Sequence, residues 1–216
     1  MSGTITISSS YGANGDPVGH EVARRLGVEF YDRAIPVAVA RELSIEPDEA
    51  IAKDWRAPGR MERVLAAMVS SSTQFVVTDA QAEQYSNPDL FRETTESVLR
   101  RIADGEGGVV LGRASMVVLG GRPDVLCVRL DGPPEARIRQ VVERGVADEA
   151  TARKEQKATD DARDAYGRVF YRVSQDDSKL YHLMIDSTEL SFDACVDLIL
   201  RAAEDRLGLK APATRA

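Results

Sequence analysis

The residues of this chain best suited to chemistry are glycines and arginines, set where the chain leaves short apolar runs. Gly12 and Gly15 lie in the loop Ser9-Ser10-Tyr11-Gly12-Ala13-Asn14-Gly15-Asp16, between the extended run Thr4–Ser8 and a helix expected from about Pro17 to Leu26. Such a strand–loop–helix unit is how α/β proteins hold phosphate, because loop N–H groups and the helix N-terminus converge on one anion. The complete phosphate-binding pattern ends Gly-Lys-Ser/Thr. Here Gly15 is followed by Asp16 and Pro17, and the first lysine of the chain is Lys53. Any phosphate held over Ser10–Asp16 must therefore draw its positive charge from outside the loop. Pro17 suits a first helical position, where a missing N–H costs little. Asp16 reads first as an N-cap; the sharper reading is a Mg²⁺ contact, since magnesium at phosphate sites takes few carboxylates and several waters.

Arginine is the natural source of the missing charge, and only five of the 28 basic residues are lysine. Its planar fork matches phosphate better than an ammonium does. Arg113 follows the apolar run Gly108-Val109-Val110-Leu111-Gly112, and Asp32-Arg33 follows the brief extended piece Gly27–Tyr31. Each could meet a phosphate; each could equally be a solvated charge or a structural ion pair. The stretch from Ala147 to Val173 is crowded with charge and poor in apolar residues until Val169. A helix so polar is either a solvated face or a lid over a charged substrate. Within it Arg163 lies three residues after Asp160 and three before Tyr166, which puts all three near one helical face.

The elements that would position these groups alternate. Apolar runs at Val125–Leu130 and His182–Asp186 read as further strands, with helices over Asn87–Ala103, Pro134–Arg144, Asp148–Tyr166 and Phe192–Leu207. Earlier segments also read as helices: Ala34–Leu43, which is apolar all round, one from Pro47 with acids in its first turn, and Arg60–Val77, whose apolar residues have helical spacing. Strands alternating with helices predict an α/β fold with a parallel sheet covered on both faces. Ligands in such sheets sit at the carboxyl ends of the strands. The candidate site is thus built from Ser8–Asp16, Tyr31–Arg33, Gly112–Ser115 and whatever arches over them. One domain is expected over residues 1–210, with a flexible tail at 211–216.

With 216 residues, 43% hydrophobic and 29% charged, the chain has the balance of an ordinary globular protein. A net charge of −7 argues against general nucleic-acid binding, which rests on phosphate neutralisation. Cys127 and Cys195 lie in apolar runs, as reduced core cysteines do. No apolar run reaches the roughly 18 residues of a membrane span, and the first residues lack a signal-peptide layout. A cytoplasmic protein, monomer or homodimer, is the expectation. A dinucleotide-binding fold would need Gly-x-Gly-x-x-Gly, and Gly12, Gly15 and Gly19 do not have that spacing.

The residues also carry a resemblance. Ile5–Asp32 resembles the N-terminus of the bacterial cytidylate-kinase-like family, Val109–Leu119 its Gly-Arg strand end, and Asp160–Tyr166 its Asp-x-x-Arg-x-x-Tyr lid helix. Ile185–Ser191 is similar to its closing strand and helix cap. These matches recur in order from Ile5 to Leu200. The resemblance implies a P-loop nucleoside-monophosphate-kinase-like fold, three layers around a five-stranded parallel sheet, with a helical lid at about 145–175. It implies Mg²⁺ with ATP as cofactors and small nucleotides as partners. It places the triphosphate over Ser10, Tyr11, Gly12, Ala13, Asn14, Gly15 and Asp16, and the acceptor near Asp32, Arg33 and Arg113. It places phosphate-clamping arginines on the lid at Arg163, Arg137 and Arg139. With the spacing above, Arg163, Arg113 and Asp160 form the expected catalytic set, Asp160 placed to orient the Arg163 guanidinium and the lid residue Tyr166 to brace it, and Asp16 is the candidate metal contact. The chain departs from the family in two places. Gly15-Asp16-Pro17 replaces the loop's Lys and Thr, and Ala114 replaces an aspartate that meets the acceptor. Two readings follow: a kinase of a CMP-like acceptor, or a nucleotide-binding regulator without transfer.

If Arg113 meets a phosphate, Arg113→Ala should weaken acceptor binding about ten- to a hundred-fold, the worth of a charged hydrogen bond. Calorimetric titration of a nucleoside monophosphate checks this; unchanged binding with lowered stability would make Arg113 a structural ion pair.

Overall fold

The computed structural model describes residues 3–32 and 88–210. Arg33, Lys53 and the helices expected over Ala34–Leu43, from Pro47 and over Arg60–Val77 lie outside the described residues, as does the tail 211–216. The described elements run β1 (Thr4–Ser9), α1 (Gly15–Leu26), β2 (Phe30–Tyr31), α2 (Pro88–Asp104), β3 (Gly108–Leu111), α3 (Ser115–Val118), β4 (Val125–Asp131), α4 (Pro134–Glu143), α5 (Glu149–Tyr166), β5 (Leu183–Asp186) and α6 (Phe192–Leu207). A π-helical turn over Gly167–Tyr171 extends α5, and a 3₁₀ turn over Ser178–Leu180 precedes β5.

The five strands form one sheet in the order β2-β3-β1-β4-β5, and every pair is parallel. β1 is central, with β3 on one side and β4 on the other. The chain therefore leaves β1 at the point where strand order reverses, the place where open α/β sheets take ligands.

Side-chain alternation along the strands divides the core in two. Ile5, Ile7, Leu126, Val128 and Leu130 face α1 and α6, meeting Val18, Val22, Val196 and Ile199. Val110, Val125 and Cys127 face the other side, against Val98 and Leu99 of α2, Met116 of α3, Tyr166 and Tyr181. Each large aliphatic side chain buried this way contributes roughly 1.5–3 kcal/mol. Polar side chains of the two central strands interrupt the second face: Thr4, Thr6, Ser8 and Arg129, all buried.

Helix ends explain where sequence and structure differ. α1 begins at Gly15, two residues before Pro17, because Asn14 takes a left-handed conformation (φ 60°) and acts as the cap residue without a side-chain hydrogen bond. Asp16 is therefore not the N-cap. It sits inside the first turn, where a carboxylate suits the helix dipole. Asp148 does cap α5, its carboxylate accepting from the Thr151 amide, and Ser191 caps α6 in the same way. The short α3 was not anticipated. It follows three successive left-handed residues, Gly112, Arg113 and Ala114, with φ of 72°, 59° and 50°.

The sheet ends at β5 with a side-chain substitute for a strand bond. The Cys127 amide donates to His182 Nδ1 (2.9 Å), while the His182 amide donates to the Cys127 carbonyl (2.8 Å). Partial burial, and then the charge of Arg206, hold the His182 pKa below its usual value. The unfolded chain therefore binds the proton more readily than the folded one. The stability this bond contributes is present above about pH 6.5 and is lost as pH falls through the folded pKa. Urea melts between pH 7.5 and 5 should show a small extra loss in the parent that His182→Asn, which does not titrate, lacks; the term is small because the ring is largely exposed.

Candidate functional site

The loop from Ser10 to Asn14 joins β1 to α1 and is held from three directions. Ser187, just past β5, donates its hydroxyl to the Ala13 carbonyl (2.9 Å). Asn14 donates to Gln140 of α4 (2.8 Å), and Arg144 donates to the Asn14 side-chain oxygen. Gly12 has φ 78°, and a Cβ there would stand 2.6 Å from the Arg137 carbonyl, so only glycine fits between the loop and α4. At Gly15 a Cβ would stand 2.5 Å from Ser9 Cβ, so a larger residue disturbs the fold as well as any ligand. The first bond into α1 is from the Val18 amide to the Asn14 carbonyl. The amides of Gly15 and Asp16 thus precede the helical ladder, and Pro17 has none to offer.

Over this loop lies α5. Asp160 accepts from the Tyr11 amide (2.9 Å) through one carboxylate oxygen, and from Arg137 (2.8 Å) and Gln156 (2.8 Å) through the other. Arg137, buried on α4, also donates to the carbonyls of Tyr11 (2.7 Å) and Gly132 (2.8 Å). Tyr11 donates its hydroxyl to Glu155 (2.7 Å), and burial raises the phenol pKa well above its usual value, with Glu155 reinforcing the shift. Arg163 donates to the Ser9 carbonyl. Burial lowers its pKa, Asp160 opposes that, and Arg129 and Arg113 lower it again. The Arg163 guanidinium therefore feels the charges of two other arginines. Arg113 is likewise shifted down by burial and back up by Asp32 and Tyr166.

A cavity of about 400 Å³ opens beside the loop, lined by Ser9, Ser10, Arg129, Asp131, Arg137, Asp160, Arg163 and Asp176 among others. That volume is in the range of small-ligand sites. The predicted residues are distributed unevenly around it. Ser10, Arg137, Asp160 and Arg163 line the cavity. Tyr11, Gly12, Ala13, Asn14 and Gly15 form the loop beside it. Arg113 and Asp32 lie toward β2 and β3, with Tyr166 buried beside Arg113. Arg139 is exposed on α4 and does not line the cavity. Asp16 is exposed, and among the described residues no three His, Cys, Asp or Glu side chains group as a metal site. Arg129 was not singled out from the sequence. Its one signal was a charge inside an otherwise unbroken apolar run.

The cytidylate kinase-like family matches residues 4–189, from the first strand through the last. The chain belongs to that family. This cytidylate kinase-like chain is 27% identical over 106 residues to a cytidylate kinase of Halobacterium salinarum, covering 49% of the chain and 55% of that protein. It is 26% identical over 148 residues to a Corynebacterium glutamicum protein named uronate isomerase, covering 68% of the chain and 28% of that protein. The chain thus spans about a quarter to about a half of the length of these curated relatives. A crystal structure of an uncharacterized protein from Eubacterium ventriosum shares the fold, with a TM-score of 0.65 at 18% identity, covering 94% of this chain and 99% of that one.

Asp160 makes the central contact of this site, so its charge should be measurable in the free protein. Asp160→Asn leaves buried Arg137 with a weaker partner, and an expected cost of about 1–3 kcal/mol follows. Urea denaturation gives that number, and faster hydrogen exchange at the Tyr11 amide locates it.

Proposed function

We propose that this cytidylate kinase-like protein seats a nucleoside triphosphate over Ser10–Asp16 and transfers its terminal phosphate to a small phosphate-bearing acceptor, a CMP-like nucleoside monophosphate, in the cytoplasm. The observation that carries this reading is the convergence of arginines from three elements beside one glycine loop, Arg129 of β4, Arg137 of α4 and Arg163 of α5, with Arg113 after β3 close enough for its charge to act on Arg163. Guanidinium groups this close repel one another, and a polyanion relieves that repulsion. Phosphoryl transfer asks little covalent chemistry of the protein; it needs in-line positioning and neutralisation of charge on the moving group. Arg163 feels the charges of both Arg113, on the proposed acceptor side, and Arg129, on the loop side, which suits a group that meets the phosphate in transit. Asp32 and Arg113 orient the acceptor, and Arg137 keeps the loop in shape through its two carbonyl contacts.

Magnesium would enter with ATP. The exposed Asp16 carboxylate, in the first turn behind the loop, fits in kind the sparse protein ligation such an ion takes. The ion would neutralise phosphate charge; orientation and proton exclusion fall to the arginines and to α5.

Two observations favour the second reading, a nucleotide-binding regulator without transfer. Asp16 stands where the family's loop carries a lysine, and the Tyr11 amide is already occupied by Asp160. The two readings part in a screen of nucleoside monophosphates, CMP first, with Mg-ATP, following ADP release beside thermal shifts. Turnover supports the kinase, and stabilisation without turnover supports the regulator. In the kinase reading Arg163→Ala should lose kcat far more than it loses ATP affinity or apo stability. Arg163→Lys should recover only part of the rate, because an ammonium cannot reproduce the fork. An Arg163→Ala variant with parental turnover would remove Arg163 from the chemistry.

A further inference from the structure

Arg129 is the least expected residue of the molecule. β4 runs between β1 and β5, and its residues from Val125 to Leu130 are all buried. A guanidinium in that run is 4% exposed. Removing a charge from water is costly unless close counter-charges and a full set of hydrogen bonds replace the solvent. Arg137 meets that condition, with three bonds of 2.7–2.8 Å, one of them to a carboxylate. Arg129 does not. Its neutral partners are Ser10 Oγ at 2.8 Å and Ser8 Oγ and Gln175 Oε1 at 3.2 Å. Its carboxylates are long, Asp131 at 3.2 Å and Asp176 at 3.3 Å, and both are partly or wholly in solvent, with side chains 34% and 81% exposed. Among the described residues its Nε has no hydrogen-bond partner. This is a buried cation whose charge is incompletely answered.

Its position says what would answer it. Arg129 is in register with Ser8 at the end of β1, and it reaches Ser10 at the start of the glycine loop. It lines the same cavity as Arg163 and Arg137. Unlike Arg163 it is rooted in the sheet, so its charge is in place whatever α5 does. We infer that Arg129 stands in for the absent loop lysine: its guanidinium binds the phosphate chain of the triphosphate, which displaces the solvent-exposed Asp176 carboxylate. This rests on the proposed triphosphate seat and assigns the cation that completes it. An arginine in this role gives a paired contact with two phosphate oxygens, whereas a lysine gives a point charge.

The test uses the full chain and inorganic tripolyphosphate, so that it needs no turnover. Calorimetry should show the parent binding tripolyphosphate, and Arg129→Met binding it about ten- to a hundred-fold more weakly, as expected for a lost charged contact. Arg129→Lys should keep part of the affinity. The apo melting temperature of Arg129→Met should hold or rise, because an apolar side chain of similar length suits this strand better than an under-paired charge. A structural arginine would give the opposite pattern, lowered apo stability with parental affinity, and that pattern overturns the inference. Should Arg129→Met fail to fold, Asp176→Asn decides: freeing Arg129 of its exposed partner should tighten tripolyphosphate binding, and unchanged or weaker binding overturns the inference. A parent chain that does not bind tripolyphosphate sinks the triphosphate seat itself, whereas parental binding by Arg129→Met sinks only the role of Arg129.

Discussion

One carboxylate makes the site a single object. Asp160 belongs to α5, yet its oxygens are taken by an amide of the β1–α1 loop and by a guanidinium of α4. Arg137, held in this way, turns its remaining N–H groups to the carbonyls of Tyr11 and Gly132, so the loop, α4 and α5 cannot shift independently. The constraint beneath this is electrostatic. Arginines gathered around one loop are tolerable only with anions among them, and the chain supplies its own in Asp160, Asp131, Asp176 and Asp32. A phosphate chain offers the same kind of oxygen to the same donors. In the proposed reading, ligand and protein compete for one set of hydrogen bonds.

The two sides of the site differ in character. On the loop side the counter-ions grade from fixed to loose, from Asp160, which has three short bonds, to Asp176, which is exposed and distant. Toward β2 and β3, outside the cavity, the charges of Asp32 and Tyr166 act on buried Arg113. α5 spans both, with Asp160 over the loop and Tyr166 against Arg113. A polar helix that would pack weakly alone is thus held by long-range bonds at a few positions, while the rest of its surface remains solvated.

Much of this was legible in the sequence because it depends on period and spacing. The apolar runs at Val109–Leu111 and Val125–Leu130 are strands because only a doubly covered sheet buries such runs whole. Asp160, Arg163 and Tyr166 do share a helical face, as their spacing required. Arg137 and Arg139 could have been separated in advance, since residues two apart on a helix diverge by roughly 200° and cannot both face the loop. What was not legible depends on contacts distant in the chain. Asp160 was expected to orient Arg163, but its nearest partners are Tyr11, Arg137 and Gln156, fixed only when α4 and α5 meet the loop. Asp16 looked like a cap because Asx residues usually are. The left-handed turn at Asn14 moved the helix start upstream of it, a conformation that asparagine tolerates better than most residues but that its presence alone does not announce. Arg129 was hidden by its surroundings, a single charge read as part of the strand that carries it.

The left-handed run after β3 has a consequence for how this family can diversify. Arg113 owes its direction to three residues in a conformation that L-amino acids avoid, and such strain persists only where the surroundings over-determine it. Ala114, the last of them, is not a surface position: it is 8% exposed and packs with Val98, Leu99 and Met116. An aspartate at this point, as the family pattern has it, would set a carboxylate among apolar neighbours of α2 and α3 and would need the helices to move apart to hydrate it. The segment that aims Arg113 is thus anchored in the hydrophobic core, and an exchange at Ala114 acts first on how α2 and α3 pack against β3.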